Sequence, residues 1–466
     1  MTTIRQRKAR VVIGADDPTL TPAAGLMLVA EVDRILGVAS TIDDWVGRIK
    51  QRKRGVTAGQ LVVSMAESML AGGDFMCDLD TLRADTAGAV LRAVPDAPAP
   101  TTFIALARRF DAAAIGDLES AVGAMATTWF ETLPDARRQA LAAVRPTVDL
   151  DPTDIEVYGR KKEGVAWNYA GQRTGRAHPA VWAEAGVVIA GELGSGVDDP
   201  RPQAPGLIER AIAALPEGLG RPRVRADSGF FDRKVAEAAI AHRADFAIAA
   251  KRNGAVWRSA AKLTEAAWQP AIGMAGAEVA VCDYRPGGWP ERTRTIVRRV
   301  RVEPDEVRRD PRSRRRRTID PTQLALVLGG GADHAYAYSF IVTNLAGEVT
   351  EIEAWFRGRA LVEERIKDSK CGLALRHLPS GYSAVNAVWM WSAFLALNLS
   401  VFTQSLAGID TEGRAHAKRA RRELFLVPAR VLSHARSIVL RLSPVHHRGP
   451  FLSAWRTLCA IPAAEP

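Results

Sequence analysis

Cysteine is scarce in this chain, and its spacing excludes several classes of protein. The 466 residues include four cysteines, Cys77, Cys282, Cys371 and Cys459, which lie far apart and form no C-x-x-C pair. Zinc modules and disulfide frameworks both need cysteines at short, regular spacings. The sequence therefore predicts neither kind of site, and it favours a reducing cytoplasm.

Long uninterrupted apolar runs are also lacking. The basic N-terminal segment is followed by no apolar signal-peptide core. Residues 385–402 are numerous enough to span a membrane, but Asn386, Ser392, Asn398 and Ser400 interrupt the run. We therefore predict a helix buried in the core of a large domain, and no membrane partner.

The chain carries a marked excess of positive charge. Hydrophobic residues make up 47% and charged residues 25%, which is typical of soluble globular proteins, while the net charge is +11. Arginine far exceeds lysine, and its guanidinium fork grips phosphates in a bidentate way. Nucleic acid is therefore the leading candidate partner, although the composition of the source genome could also produce this excess.

Sequence patterns divide the chain into five regions. The basic runs at 5–10 and 52–54 make the first region a candidate DNA-binding unit, although solvated helix faces explain them equally well. Strand-like segments alternating with helical ones predict an α/β layer structure for the second and fourth regions. The regions are a helical N-terminal region (1–145), the first part of an α/β core (146–254), a β-rich insertion (255–338), the second part of the core (339–410) and a basic C-terminal region (411–466).

The predicted elements of the core and the insertion follow from apolar periodicity and turn residues. Strands are predicted at 148–159, 165–169, 186–192, 222–226, 244–250, 277–284, 292–302 and 339–345, and helices at 206–215 and 232–242.

The segment from Trp355 to Lys370 contains no proline or glycine after Gly358, and we predict that it forms one helix. At helical periodicity Arg359, Glu363 and Lys370 project from one edge of that helix. A carboxylate between two cations suits a metal-bound phosphodiester. A surface helix with ordinary salt bridges is the alternative reading.

Two aspartates could join Glu363 in a metal site. Asp151 lies at the start of a predicted strand, and Asp227 directly follows the predicted strand at 222–226. Carboxylates at strand ends face the ligand crevice of an α/β sheet. Three gathered carboxylates would hold one or two Mg²⁺ ions, which can activate a water or a 3′-hydroxyl and stabilise the leaving oxygen. Spacing alone does not establish that the three residues meet.

Three blocks of the sequence resemble those of bacterial insertion-sequence transposases of the DDE class. LDPTDIEVYGRKKEG, with the Tyr-x-Gly at 169–171, and VRADSGFF are similar to the first and second aspartate blocks of the branch called DDE domain group 1. The third block resembles the Tyr-x2-Arg-x3-Glu-x6-Lys signature of these enzymes, and it maps onto Phe356, Arg359, Glu363 and Lys370. The resemblance extends from about residue 145 to about residue 440.

The resemblance implies an RNase H-like catalytic core interrupted by a β-rich insertion. It also implies that Asp151, Asp227 and Glu363 are catalytic and bind Mg²⁺, with Mn²⁺ as a substitute, while Arg359 and Lys370 hold phosphates near the scissile bond. The expected activity is cleavage at insertion-sequence ends and strand transfer, by a cut-and-paste route. The expected partners are double-stranded DNA, as inverted repeats and target, and a second copy of the chain in a synaptic complex. The expected location is the bacterial cytoplasm, in association with the nucleoid.

Two positions leave the family pattern open to question. Phe356 stands where the signature has tyrosine, so a hydroxyl that could bond the DNA backbone is lost. The first aspartate could be Asp149, Asp151 or Asp154, and the family's Asp-x-Thr pattern favours Asp151.

The insertion carries further candidate DNA contacts. Cut-and-paste relatives stack an insertion-domain tryptophan on a flipped base, and Trp289, in a turn expected to be exposed, is the candidate, with Trp257 and Trp268 as alternatives. Stacking of this kind contributes roughly 1–3 kcal/mol per base, but a tryptophan in a turn more often serves packing. A run of arginines would follow the phosphate backbone or form a solvated loop. That run comprises Arg314, Arg315, Arg316 and Arg317.

Two other function classes remain open at this stage. Another RNase H-like nuclease, such as a junction resolvase, would share the carboxylates but would not need the long insertion. A catalytically inactive or domesticated relative would bind DNA without cleaving it.

Overall fold

A computed structural model describes residues 14, 16–50, 54–159, 161–168, 170–309, 318–410, 413–435, 437–444 and 448–463. Arg314, Arg315, Arg316 and Arg317 lie outside the described residues, as do Tyr169 and the basic segments 5–10 and 52–53.

The described chain combines many helices with two sheets. The helices are α1 (Met27–Leu36), α2 (Val38–Val46), α3 (Ala58–Leu70), α4 (Leu79–Ala84), α5 (Pro100–Ala107), α6 (Ala112–Thr132), α7 (Asp135–Ala142), α8 (Pro200–Ala213), α9 (Arg233–Ala241), α10 (Gly254–Ala260), α11 (Pro304–Arg309), α12 (Pro321–Leu328), α13 (Val349–Arg357), α14 (Ala360–Gly372), α15 (Ser383–Leu406), α16 (Ala417–Ala420) and α17 (Gly449–Cys459). The strands are β1 (Leu20–Thr21), β2 (Thr147–Leu150), β3 (Thr153–Glu156), β4 (Ala166–Trp167), β5 (Arg173–Trp182), β6 (Val187–Ser195), β7 (Arg223–Ala226), β8 (Asp245–Ala249), β9 (Gln269–Pro270), β10 (Ala277–Cys282), β11 (Arg294–Val302), β12 (Ala335–Thr343), β13 (Ala429–His434) and β14 (Ser437–Leu442).

The larger sheet is mixed and has 11 strands among the described residues. β5 pairs with β6 along one edge and with β2 and β3 along the other, all antiparallel. β2, β7 and β8 are parallel neighbours, and α8 and α9 connect β6 to β7 and β7 to β8. β8 then pairs antiparallel with β12, which continues through β11 and β10 to β9. The sheet therefore has a parallel centre, which is where α/β proteins place their ligand crevice.

The predicted strand at 148–159 is wrong in one respect, because the chain forms two short strands there. β2 and β3 keep a single register against β5, with Leu150 opposite Ala180 and Thr153 opposite Ala177. Between these pairs lie Pro152 on one side and Pro179 on the other. Proline has no N–H to donate to a ladder. The pairing is therefore interrupted at Asp151 and Pro152, which leaves Asp151 at the carboxyl end of β2.

Most of the other predicted core elements are confirmed with shifts of a few residues, but β5 was not predicted. Its sequence, RTGRAHPAVW, mixes glycine, proline and two arginines with apolar residues. In the fold Arg176 forms an ion pair with Asp154 at 2.6 Å, so the charge is satisfied by a neighbouring strand. A pairing of this kind cannot be read from the strand's own periodicity.

In the predicted insertion, β10 and β11 confirm the two strands expected at 277–284 and 292–302. Their neighbour β12 pairs with β8, so these strands extend the large sheet. The region also contains helices α10, α11 and α12, which the description as β-rich did not anticipate.

The long helix α15 lies at the centre of the molecule. It is the helix, among the described residues, that is long and apolar enough to cross a membrane, and 94% of its most apolar window is buried inside the protein. It packs against α3, α6 and β6 within one hydrophobic core that extends from Ala23 to Leu458. The prediction of a buried core helix is confirmed. The small second sheet joins β1 to the hairpin of β13 and β14, and neither the pairing nor the hairpin was predicted.

Candidate active site

Asp151 and Asp227 occupy equivalent positions on two neighbouring strands. β2 and β7 are parallel, and Leu150 is in register with Ala226. The next residue of each strand is therefore one of the two aspartates. Neighbouring strands lie about 5 Å apart. The fold thus places both carboxylates side by side at the carboxyl ends of central parallel strands.

Asp227 is held by a local backbone turn. Its side chain accepts a hydrogen bond from the N–H of Gly229 at 2.8 Å and caps a short 3₁₀ helix at Ser228–Phe230. A Cβ on residue 229 would lie 2.9 Å from the Asp227 carboxylate, so glycine is needed for this close approach. The turn therefore fixes the second aspartate at the strand end.

The expectation of one helix from Trp355 to Lys370 is wrong. α13 ends at Arg357 and α14 begins at Ala360. The N–H groups of Gly358 and Arg359 bond to the carbonyls of Trp355 and Phe356 at 3.1 and 3.2 Å, which is the tighter spacing of a 3₁₀ turn. The regular hydrogen-bond ladder of an α-helix is therefore interrupted directly before the segment that carries Glu363 and Lys370.

Arg359 links the first aspartate to the third block. Its guanidinium donates to the carboxylate of Asp151, and its Nη1 lies 3.7 Å from Oε1 of Glu363. The side chains of Asp151 and Arg359 are each 15% exposed, whereas that of Glu363 is 60% exposed. Burial raises the pKa of Asp151 to about 6; Arg359 opposes this shift, while the nearby charges of Asp227 and Glu363 add to it. The carboxylate of Asp151 is thus close enough to Asp227 and to Glu363 for the charge of each to act on it.

The donor set has the chemistry that a hard divalent cation prefers, since Asp151, Asp227 and Glu363 offer only oxygen. The two aspartates lie side by side, but Glu363 stands off on the exposed edge of α14. In the described part of the chain no three His, Cys, Asp or Glu side chains are grouped tightly enough to hold a metal ion. The arrangement therefore fits two ligands of such a site, and the third requires Glu363 to approach them.

Lys370 attaches α14 to the strand that follows Asp151. Its ammonium donates to Thr153 Oγ1 at 3.2 Å and to the carbonyl of Asp154 at 2.7 Å. Lys370 and Asp227 both line a cavity of about 600 Å³, together with the cations Arg176 and Arg376. An ammonium has three donors, and the contacts with β3 use two of them.

Asp154 and Asp149, the other two candidates for the first aspartate, pair with different residues from the one that contacts Asp151. Asp154 accepts hydrogen bonds from Arg176 at 2.6 Å and from Asn168 at 2.9 Å. Burial acts to raise its pKa, but these hydrogen bonds outweigh it, and the net pKa is lowered. Asp149 is fully buried in an ion pair with Arg225. Of the three candidates for the first aspartate, Asp151 is the one beside Asp227 at the strand ends.

Phe356 lines a different cavity from Lys370. With Arg359 and Glu363 it lines a second cavity of about 260 Å³, and its ring packs against a small apolar cluster that includes Ile341. The same cavity is also lined by the cations Arg252, Arg298 and Arg357. Arg298 and Arg357 pair with the buried carboxylate of Glu353.

The expectation that Trp289 is exposed is wrong. The indole is 8% exposed and packs against Phe231 and Phe246, with ring centroids at 4.9 and 5.8 Å. Trp257 and Trp268 both contact Tyr338 on β12. Trp289 therefore fills the core beneath its turn, because two aromatic rings from the α/β layer reach it there.

Sequence reasoning missed the residues that support the site. Arg225 bonds to Asp149 and to the carbonyl of Trp355, whose indole in turn lies under the guanidinium of Arg223 at 4.6 Å and donates to Thr147 at 3.1 Å. One signal was present: Asp149 and Arg225 each precede a candidate aspartate by two residues. Alternation along a strand puts residues two apart on the same face.

The family model described as Transposase DDE domain group 1 matches residues 4–309 and 327–459. Among solved structures, the chain is similar to a piggyBac transposase synaptic complex with hairpin DNA, with 11% sequence identity and a TM-score of 0.43, over 88% of this chain and 79% of that chain. No curated protein matches the sequence.

Proposed function

The chain belongs to the transposase family defined by the group 1 DDE domain, and from this premise we propose that it moves a bacterial insertion sequence by Mg²⁺-dependent cut-and-paste transposition. Members of this family are enzymes that cleave DNA and transfer strands, and DDE transposases generally use divalent metal ions. The identity of the metal ion, the cut-and-paste route and the roles of individual residues go beyond the family match and are proposed here.

One observation carries the proposal: the register of β2 and β7 puts Asp151 beside Asp227 at the carboxyl ends of the central strands. Glu363 is the third proposed ligand, on α14, and Arg359, the residue directly before this helix, contacts Asp151. These carboxylates would hold a divalent metal, which would supply an activated water or 3′-hydroxyl and stabilisation of the leaving oxygen. Mn²⁺ is a plausible substitute, because it also prefers carboxylate ligands.

The cations of the third block are proposed to bind the DNA backbone. Arg359 lies between Asp151 and Glu363, so a phosphate drawn to its guanidinium is positioned beside the carboxylates. Lys370 adds a point charge on the side of Asp227. Phe356 offers an apolar ring where the family signature has tyrosine, and it positions DNA by contact rather than through a hydroxyl.

The sheet order supports an RNase H-like core as part of the proposal. Three antiparallel strands, β6, β5 and β2, are followed by the parallel strands β7 and β8, with helices in the crossovers. The insertion at 255–338 separates this core from the third block at 339–410. The N-terminal helical region is proposed to bind transposon ends.

The proposed partners are double-stranded DNA, as inverted repeats and target, and a second copy of the chain in the synaptic complex. The net charge of +11 supports a polyanionic partner. The proposed place of action is the bacterial cytoplasm, at the nucleoid.

The test is Mg²⁺-dependent nicking of a duplex that carries the insertion-sequence end. Glu363→Gln and Asp227→Asn should each abolish cleavage while DNA binding persists. Glu364→Gln is the matched control, because Glu364 is the exposed neighbour on the same helix, and it should cleave like wild type. Cleavage by Glu363→Gln at the wild-type rate would remove Glu363 from the mechanism.

A catalytically inactive, DNA-binding relative is the second candidate. The exposed position of Glu363, outside any three-residue ligand group in the described chain, favours it. In that case neither the wild type nor any of the variants cleaves DNA with Mg²⁺ or Mn²⁺. The wild type still binds duplex DNA, with an affinity that falls steeply as the salt concentration rises.

A further inference from the structure

Arg225 connects two neighbouring strands beneath the proposed site. It lies directly opposite Asp149 in the parallel register of β7 and β2. Its Nε and Nη2 donate to the two oxygens of Asp149, each at 2.6 Å. The side chains are 4% and 0% exposed. A charge pair of this kind is costly to bury and seldom stabilises a fold better than apolar residues would, so a role in specifying geometry is a reasonable hypothesis for it.

The same guanidinium also reaches the third sequence block. Its Nη1 donates to the carbonyl of Trp355 in the last turn of α13. In a continuous helix the N–H of Arg359 would bond to this carbonyl, but it bonds instead to Phe356 at 3.2 Å. A Cβ on Gly358 would lie 3.0 Å from Nη1 of Arg225, so the chain passes the guanidinium at a position without a side chain.

These contacts join the residue directly before the first aspartate block, one residue of the second block, and two residues around the start of the third block. We name Asp149, Arg225, Trp355 and Gly358 the Arg225 cluster. Asp149 and Arg225 lie two residues before Asp151 and Asp227 and on the same faces of their strands, about 7 Å below them. At the other end of the Arg225 cluster, the turn at Gly358 leads directly into Arg359 and then Glu363.

We propose that Arg225 is a positioning residue that fixes the start of α14, and with it Arg359 and Glu363, relative to Asp151 and Asp227. The inference rests on the proposed function, because it concerns how the third carboxylate reaches the other two. Arg225 contacts neither DNA nor metal in this scheme. It acts through the Trp355 carbonyl and the turn at Gly358.

The experiment compares Arg225→Lys with Arg137→Lys in the full-length protein. Arg137 is a matched control, because it also combines an ion pair, with Asp410, and a bond to a backbone carbonyl, that of Ser405 at 2.6 Å, far from the site. Both variants should lower the melting temperature. Only Arg225→Lys should weaken Mn²⁺ binding, measured by electron paramagnetic resonance, and raise the Mg²⁺ midpoint of cleavage, by roughly 10- to 100-fold as for other residues that support metal ligands.

A second variant keeps the test decisive if Arg225→Lys fails to fold. Gly358→Ala leaves the buried ion pair intact but pushes a methyl group against the guanidinium, and it should also weaken Mn²⁺ binding. In the double variant with Arg225→Lys and Gly358→Ala, the lysine has no Nη1 atom against which the new methyl group could clash. The effect of Gly358→Ala should therefore be smaller in the Arg225→Lys background than in wild type.

The outcomes separate this inference from the proposed function. Folded Arg225→Lys and Gly358→Ala proteins with wild-type Mn²⁺ affinity and Mg²⁺ midpoint would overturn the positioning role while leaving the transposase proposal intact. Wild-type protein that binds Mn²⁺ yet never cleaves would overturn the proposed function, and the loss of Mn²⁺ affinity in the variants would still support positioning.

Discussion

Replacing Asp151 with asparagine should stabilise the protein at alkaline pH while it removes a proposed metal ligand. Burial raises the pKa of Asp151 to about 6, from an ordinary value of 3.8. Between these two values the folded protein holds a proton that the unfolded chain has lost, so stability falls as the pH rises through this window. Asparagine resembles the protonated carboxyl and does not titrate, so the variant is free of this loss.

The expected size follows from the shift. About two pKa units correspond to roughly 3 kcal/mol in favour of the variant at pH 8, and less than about 1 kcal/mol at pH 4. For a chain of this length 3 kcal/mol is roughly 3 °C in melting temperature. Scanning calorimetry in EDTA measures it without the contribution of bound metal.

Asp154, three residues along the chain, provides a control of opposite sign. Its net pKa is lowered, chiefly because hydrogen bonds from Arg176 and Asn168 outweigh the effect of burial. Its contribution to stability is present above the unfolded pKa and is lost as the pH falls through the folded value. Asp154→Asn should therefore lower the melting temperature at pH 8, and the difference should vanish in acid. An Asp151→Asn protein that melts at or below wild type at pH 8 would refute the reasoning.

Three further predictions concern stability away from the site. Glu67→Gln should raise stability by roughly 3 kcal/mol at pH 7 and by little at pH 4, measured by calorimetry, because burial raises the pKa of Glu67 to about 8 and the charged form is disfavoured in the fold. Gly59→Ala should destabilise by about 1–3 kcal/mol, because its Cβ would lie 2.0 Å from the carbonyl oxygen of Ala39, whereas Gly116→Ala, with nothing within 4 Å, should stabilise by about 0.4–1 kcal/mol in urea titrations. Trp289→Ala should cost about 3–5 kcal/mol in the same assay, because the indole is buried, and Trp167→Ala, at a position 66% exposed, should cost little.

Local patterns were sufficient to predict much of the fold. Helical periodicity predicted that the N-terminal region is helical, a buried helix was predicted where α15 lies, and the strand-like patterns predicted β6, β7, β8, β10 and β11. In each of these elements the spacing of apolar residues follows from which of its faces is buried, so the pattern can be read from the element's own sequence. Resemblance supplied the family, which the match over most of the chain confirms. The roles of the individual site residues stay predictions.

The elements that failed depend on partners distant in sequence. β5 is polar in sequence because Arg176 is paired with Asp154 across the sheet. Trp289 looked like an exposed turn residue because its partners, Phe231 and Phe246, belong to another part of the chain. No local window contains these contacts, so periodicity could not report them.

The sequence by itself determined which residue types are available: two aspartates at predicted strand positions, and a glutamate between two cations. The tertiary structure alone decided that Asp151 and Asp227 follow residues in register on parallel strands. It also decided that the Trp355 carbonyl accepts from both Gly358 and Arg225 where α13 ends at Arg357, so that two helices replace the one predicted. The physical reason is that register and hydrogen-bond competition are properties of paired segments, and a single segment carries neither.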